Sequence, residues 1–188
     1  MRESISFGTS GWRGVIAEEV TFPRLRKLAR AITRYLKDNQ EDSKGIVIGY
    51  DTRFFSSEFA REMACVCLEE GIEVAISENP SPTPVISYEI LRRKAGGGIN
   101  ITASHNPYYY SGVKFSPSWG GPAEPEVTTL IENNYIHALP DKPREDYAYC
   151  LKKGKIEVFN PIPTYLSALR QIIPFPLDFT FKVVFDPL

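Results

Sequence analysis

Cysteine is scarce in this chain, and what there is follows no pattern. Three cysteines, Cys65, Cys67 and Cys150, make an odd count without regular spacing, which excludes a disulfide framework. Cys65-Val66-Cys67 lacks the two-residue gap of zinc and redox pairs. These thiols therefore read as buried packing groups in a protein of the reducing cytoplasm. A dominant charge is also missing. The 22 Lys and Arg against 23 Asp and Glu leave a net charge of -1, so no global field exists to hold nucleic acid or an anionic membrane. Only a local basic patch remains available for a small anion. No stretch approaches the ~18 consecutive apolar residues of a transmembrane helix. The opening Met1-Arg2-Glu3-Ser4 has no apolar run behind it, so no signal peptide is expected. Internal repeats and low-complexity segments are absent. So are the G-x-G-x-x-G of dinucleotide sites and the G-K-[ST] ending of a Walker loop.

What is present is ordinary globular material. Hydrophobic residues make up 43% and charged residues 24% of 188, enough for one domain, or one domain and the start of another. Residues 5–16 read as a strand, a glycine-rich loop and a second short strand. Thr21 and Pro23 open a helix whose stripe is Leu25, Leu28, Ala29, Ile32, Tyr35 and Leu36. Ile46–Tyr50 is the apolar run of a buried parallel strand. A helix follows to Glu70, capped by Ser56 or Ser57, with Gly71 at C′. Residues 72–76 form the next strand, and Thr83-Pro84 starts a helix through Arg93. Residues 96–102 form a strand, 113–116 a short strand and 124–137 a helix. Strands alternating with helices predict an α/β domain: three layers, α/β/α, around a mixed, mostly parallel sheet. Ligands of such sheets bind beyond the carboxyl ends of the strands, where Asp51, Arg53 and Ser104 fall. Residues 141–160 are charged and irregular, which predicts a linker. A helix over 165–173 and a buried-type strand over 181–185 follow. The division expected is 1–145 as a first domain, 146–160 as linker and 161–188 as the truncated start of a second α/β domain.

Three segments carry possible chemistry. The loop Thr102-Ala103-Ser104-His105-Asn106-Pro107 places serine, histidine and asparagine on one turn. By itself it is either a hydrogen-bonded turn or a nucleophile loop, and the G-x-S-x-G elbow of serine hydrolases is missing. In Phe7–Gly14 (FGTSGWRG), glycines leave backbone N–H groups open to a ligand, Thr9 and Ser10 offer hydroxyls, and Arg13 offers a planar cation suited to phosphate. The plainer alternative is a glycine-rich hairpin with a solvated arginine. Lys114 sits among apolar residues in Ser111-Gly112-Val113-Lys114-Phe115. It is either a lysine that packs its stem and wets its amine or one whose burial suits proton transfer.

In order and spacing, FGTSGWRG at 7–14, GYDTR at 49–53, TASHNP at 102–107 and Gly112-x-Lys114 resemble the α-D-phosphohexomutase family, the phosphoglucomutases and phosphomannomutases. The match runs from Phe7 to Phe115 and more weakly to Leu188. The resemblance implies that Ser104 stores a phosphate and exchanges it with a hexose monophosphate. A hexose 1,6-bisphosphate is the intermediate and activator, and phosphate moves between C1 and C6. It implies Lys114 as general base and acid, and His105 and Arg13 as support for proton transfer and phosphate charge. Thr9, Ser10, Arg13 and Asn106 would bind phosphate, and Asp51 and Arg53 would be structural or supporting. It further implies Mg2+ bridging the phosphate on Ser104. Two kinds of departure stand out. Ser111 replaces the asparagine of many members, and tyrosines fill 108–110. The family's three-aspartate magnesium loop is absent; Asp178 and Asp186 form no D-x-D-x-D run. The sugar-selecting loop and distal phosphate clamp of later domains are absent as well. The chain is therefore expected to be an amino-terminal piece that folds, carries the serine, cannot complete the reaction without its remaining domains, and lacks a magnesium site of full strength. Micromolar Mg2+ binding by calorimetry would contradict that last point. The FGTSGWRG form differs from that of phosphoglucosamine mutases and leans towards glucose or dual glucose and mannose specificity. A serine hydrolase and a phosphosugar-binding module without turnover are the alternatives.

Overall fold

A computed structural model describes residues 4–8, 11–173, 180 and 182–186. Six strands form one sheet: β1 (Trp12–Val15), β2 (Ile46–Tyr50), β3 (Val74–Ser77), β4 (Gly97–Ile101), β5 (Tyr110–Pro117) and β6 (Ile156–Phe159). Their spatial order is β1-β5-β4-β2-β3-β6. The β4-β2-β3-β6 pairings are parallel, while β5 runs antiparallel to both β1 and β4. The sheet is thus mixed and mostly parallel. All five residues of β2 are buried, because helices cover both faces of a central parallel strand.

The helices are α1 (Phe22–Asp38), α2 (Ser56–Glu69), α3 (Thr83–Arg93), α4 (Pro125–His137), α5 (Tyr147–Lys152) and α6 (Ile162–Ile172). Helix α1 packs between α2 and α4 on one face, with α5 beside α2; α3 covers the other face, with α6 behind it. The apolar stripe of α1 is buried as a unit. It joins Phe59, Met63, Ile48, Ile101, Val113 and Phe115 in the main core. A smaller cluster, Val47, Ile86, Ile90 and Ala95, fills the space under α3.

Four expectations are corrected. Residues 5–7 form no strand: the Phe7 N–H donates instead to Glu132 Oε1 of α4 at 2.6 Å. Helix α2 is not capped by a serine. Its N-cap is Phe55, in the left-handed region at φ 60°. The Ser56 hydroxyl is engaged with Asp51 Oδ1 at 2.6 Å, and the Phe55 ring packs on Phe22 and Phe59. The stretch expected as an irregular linker holds α5 and β6, and β6 adds to the sheet beside β3. Its charges are used locally: Lys155 pairs with Glu145, and Glu157 with Arg93. Of the strand expected at 181–185, Phe181 lies outside the described residues; residues 182–185 join no strand and are exposed.

Parallel strands place their carboxyl ends along one edge. The Asp51 N–H donates to Ile101 O at 3.0 Å and the Ser81 N–H to Tyr50 O at 2.9 Å, which ties the loops after β2, β3 and β4 together there.

Candidate active site

The loop after β4 is built by local polar bonds. The Thr102 N–H donates to Gly112 O at 3.0 Å, and the Asn106 N–H to Ala103 O at 3.1 Å. The Ser104 N–H donates to Thr102 Oγ1 at 3.0 Å. Ser104 itself sits at φ 57°, a left-handed conformation that is costly for a residue with a Cβ. Its side chain is exposed at the loop tip.

Arg53 holds this loop. Its Nη1 donates to the carbonyls of Pro107 at 2.7 Å and Tyr110 at 3.1 Å, and its Nη2 to those of Ser104 at 2.9 Å and Asn106 at 2.6 Å. A planar guanidinium with five fixed donors suits this task, whereas lysine does not. Asp51 aims the guanidinium. Asp51 Oδ2 lies 3.4 Å from Arg53 Nε, and Oδ1 accepts from the Arg53 N–H and the Ser56 hydroxyl. The supporting role expected of Asp51 and Arg53 thus has a geometry. Sequence reading placed both residues at the right strand end but could not see four carbonyls converging on one side chain.

Arg13 and Asn106 come together: Arg13 Nη1 donates to Asn106 Oδ1 at 3.1 Å. Arg13 Nε is buried without a partner among the described residues. Strand β1 reaches this position because residue 112 has no side chain. A Cβ there would lie 2.3 Å from Trp12 O, so only glycine allows the two strands to pair at Arg13↔Gly112. Lys114 lies two residues further along β5, opposite Asn100 of β4. Burial first, and the Arg13 charge second, push the Lys114 ammonium below its ordinary pKa. It borders a cavity of about 480 Å³ between α3 and β5, with Thr83, Ser87, Tyr88 and Leu91 on the far wall.

The remaining sites are distributed less tightly. His105 is exposed and makes no hydrogen bond among the described residues. Thr9 and Ser10 lie outside the described residues. Sequence reading missed Asn100; its signal was a polar residue inside the apolar run Gly97–Ile101. A larger hollow of about 880 Å³ opens at the opposite edge, against Glu73, Arg144 and Lys155. Arg144 and Lys155 there are taken up by Glu69 and Glu145. The three cysteines are free and buried. Burial pushes the Cys65 and Cys67 thiols up to about 12, which suits packing and not nucleophilic work.

The described residues do not fit a complete magnesium site. No three His, Cys, Asp or Glu side chains among them converge on one point. Asp51, at the strand end beside the serine loop, is committed to Arg53 and Ser56. No helix among the described residues is long and apolar enough to cross a membrane.

Comparison with known proteins gives a consistent result. Residues 4–140 match the family model described as phosphoglucomutase/phosphomannomutase, alpha/beta/alpha domain I. A phosphoglucomutase of Staphylococcus saprophyticus subsp. saprophyticus is 35% identical over 162 residues, 83% of this chain and 29% of that protein. A protein of Pyrococcus abyssi assigned as a phosphoglucosamine mutase is 32% identical over 96% of this chain and 37% of its own length. The crystal structure of a protein of Thermus thermophilus assigned as a phosphomannomutase superposes with a TM-score of 0.78 at 36% identity. That match covers 90% of this chain and 36% of the other. The chain therefore spans about a third of the length of the relatives it matches.

Proposed function

The chain belongs to the phosphoglucomutase/phosphomannomutase family as its α/β/α domain I, and from that premise we infer that it is the phosphoserine-bearing part of a phosphohexomutase. The observation that carries the reading is the loop itself. Ser104 is exposed at the carboxyl end of β4, and Arg53 spends both ends of its guanidinium on the backbone around it. A turn that merely closed a strand would gain nothing from such a clamp. A serine that must meet a phosphoryl group in line gains positioning, which is most of what phosphoryl transfer asks of a protein.

The chemistry follows from the roles. With phosphate on Ser104 Oγ, a sugar hydroxyl attacks phosphorus, the P–Oγ bond breaks as the new P–O bond forms, and the leaving Oγ takes a proton from His105, which takes it back when Ser104 attacks in the second half. The Lys114 amine takes the hydroxyl proton. Its lowered pKa makes the neutral amine accessible. Arg13 faces the loop through Asn106 and offsets phosphate charge. In the second half the other phosphate of the hexose 1,6-bisphosphate returns to Ser104, and Lys114 gives its proton back to the sugar oxygen. His105, exposed beside the serine, is a further proton carrier. Thr9 and Ser10 of the glycine-rich opening join Arg13 and Asn106 in phosphate binding. A Mg2+ ion on the serine phosphate would take Ser104 as its ligand from this chain, need its other oxygens from the remaining domains, and supply charge neutralisation there. The substrate is a hexose monophosphate. Glucose or a dual glucose and mannose specificity is the reading, in a reducing cytoplasm that keeps the three thiols free. Of the expected division we keep a first domain and a second one starting within 161–188; the middle segment 146–160 carries α5 and β6, and β6 completes the first domain's sheet beside β3.

The test is turnover by the protein with its remaining domains joined. Conversion of glucose 1-phosphate to glucose 6-phosphate is followed by 31P NMR, with a trace of hexose 1,6-bisphosphate present. The expected result is conversion that is lost in Ser104→Ala, and little or none by residues 1–188 alone. Sugar-phosphate binding without conversion in the joined protein would replace the mutase by a binding module.

A further inference from the structure

Two unmatched polar groups stand side by side on adjacent strands. Asn100 is 5% exposed. Its Nδ2 donates to Thr83 Oγ1 at 2.8 Å, at the start of α3, and its Oδ1 is buried without a partner among the described residues. A buried carbonyl-type oxygen left unpaired costs roughly 1–3 kcal/mol, so its retention calls for an explanation. Directly opposite in the β4–β5 register is Lys114, whose ammonium makes no hydrogen bond among the described residues. Directly paired residues hold their Cβ atoms about 4.5–5.5 Å apart on one face of the sheet. That face is the one turned to α3: a Cβ on Gly49, also paired with Asn100, would meet Ile86 of α3 and lie 3.3 Å from Asn100 Oδ1. Lys114 borders the cavity under α3 together with Thr83.

The geometry points to Asn100 as a positioning residue for Lys114: its Oδ1 accepts from the Lys114 Nζ when the lysine carries the proton, and Thr83 fixes the carboxamide that does so. This rests on the proton-carrying role of Lys114 given above. The protonated lysine is the form that needs an acceptor, because it is the form penalised by burial and by Arg13. Between the two half reactions the proton must be kept, not lost to water. An acceptor inside the fold parks the ammonium on the cavity side, beside Thr83. Among the described residues, the charged or titratable groups facing Lys114 are Arg13 of β1 and, across the cavity, Tyr88 of α3; Thr83 and Ser87 there are neutral.

The test reads each lysine of the 188-residue chain by competitive acetylation with acetic anhydride across pH, followed by peptide mass spectrometry. Lys155, held by Glu145 away from this site, is the internal reference. Asn100→Leu removes the acceptor, so the Lys114 pKa is expected to fall by about one unit. At neutral pH that is about a tenfold gain in acetylation relative to Lys155. Asn100→Asp keeps an oxygen and shifts Lys114 the other way. Equal Lys114 titration in the wild type and a folded Asn100→Leu overturns the proposal. Should neither variant fold, the wild-type Asn100 side-chain amide resonance decides. It is expected to move with the Lys114 titration and to stop moving in Lys114→Met; a resonance that ignores Lys114 overturns the proposal. Neither readout needs turnover. A Ser104 that refuses phosphate would sink the mutase reading and leave this result standing.

Discussion

At Ser104 the chain tolerates a backbone conformation that most residues avoid. The left-handed φ costs a non-glycine residue about 1–2 kcal/mol. Ser104→Gly is therefore expected to be more stable than Ser104→Ala by about 1 kcal/mol, measured by denaturant titration; equal stabilities would mean that the loop is not strained. Arg53→Lys keeps the charge but loses the fork. It is expected to speed amide exchange across 103–110 and to slow phosphate loading of Ser104 roughly ten- to a hundredfold. Unchanged exchange would show that the carbonyl bonds do no positioning. Lys114 offers a pH test. Its pKa in the fold lies below the ordinary 10.5, so the unfolded chain binds more protons and stability rises with pH through that interval. At neutral pH the penalty is fully present. Lys114→Met should then melt higher than wild type at neutral pH, with the gap closing above pH 10.5. A constant gap would contradict the burial. At this scale Ser104, Arg13 and Lys114 stood out in sequence only through the family order of the four motifs, since each residue taken singly had a plainer structural reading. Asn100 did not, because its orphaned oxygen exists only once β4 lies beside β5.

Among the elements, α3 carries the site from behind. It sits on a floor of glycines: a Cβ at Gly49 would lie 2.3 Å from Ile86 Cγ1, and one at Gly98 2.5 Å from Ile90 Cδ1. Gly49→Ala must push α3 off the sheet or force Ile86 from its rotamer, for a loss of about 1–3 kcal/mol. Thermal melting checks this, and a variant within about 0.5 kcal/mol of wild type would mean that α3 is loosely held. At its carboxyl end α3 is tied by Glu89, which is fully buried. Burial works against its charge, but hydrogen bonds from Arg92, Thr164 and Arg93 prevail and hold its carboxyl below the ordinary range. The helices α1, α3 and α4 and the strand β2 were readable from periodicity, proline position and apolar runs. The α2 cap was not. Ser56 would have capped the helix had Asp51 not claimed its hydroxyl, a contact set by where β2 ends. Strand β6 was hidden for a different reason. An edge strand keeps its charges outward, so Ile156–Phe159 with Glu157 facing Arg93 looks in sequence like a charged connection.

For the molecule as a whole, the sheet topology explains why the site lies where it does. The loops after β2 and β4 meet only because β2 and β4 are neighbours and parallel, although about fifty residues separate them. The alternation of strands and helices was enough to predict that meeting place. It did not predict that β5 and β1 would close the edge antiparallel and deliver Lys114 and Arg13 to it, since that depends on the missing Cβ of Gly112. The function proposed for this edge depends on Ser104 being the phosphate carrier. The most direct measurement is peptide mapping by mass spectrometry of the protein, with its remaining domains joined, after incubation with a hexose 1,6-bisphosphate. One phosphate is expected, on the peptide containing Ser104, absent from Ser104→Ala and transferred to added hexose monophosphate. An active protein whose phosphate sits on any other residue, or on none, would contradict it.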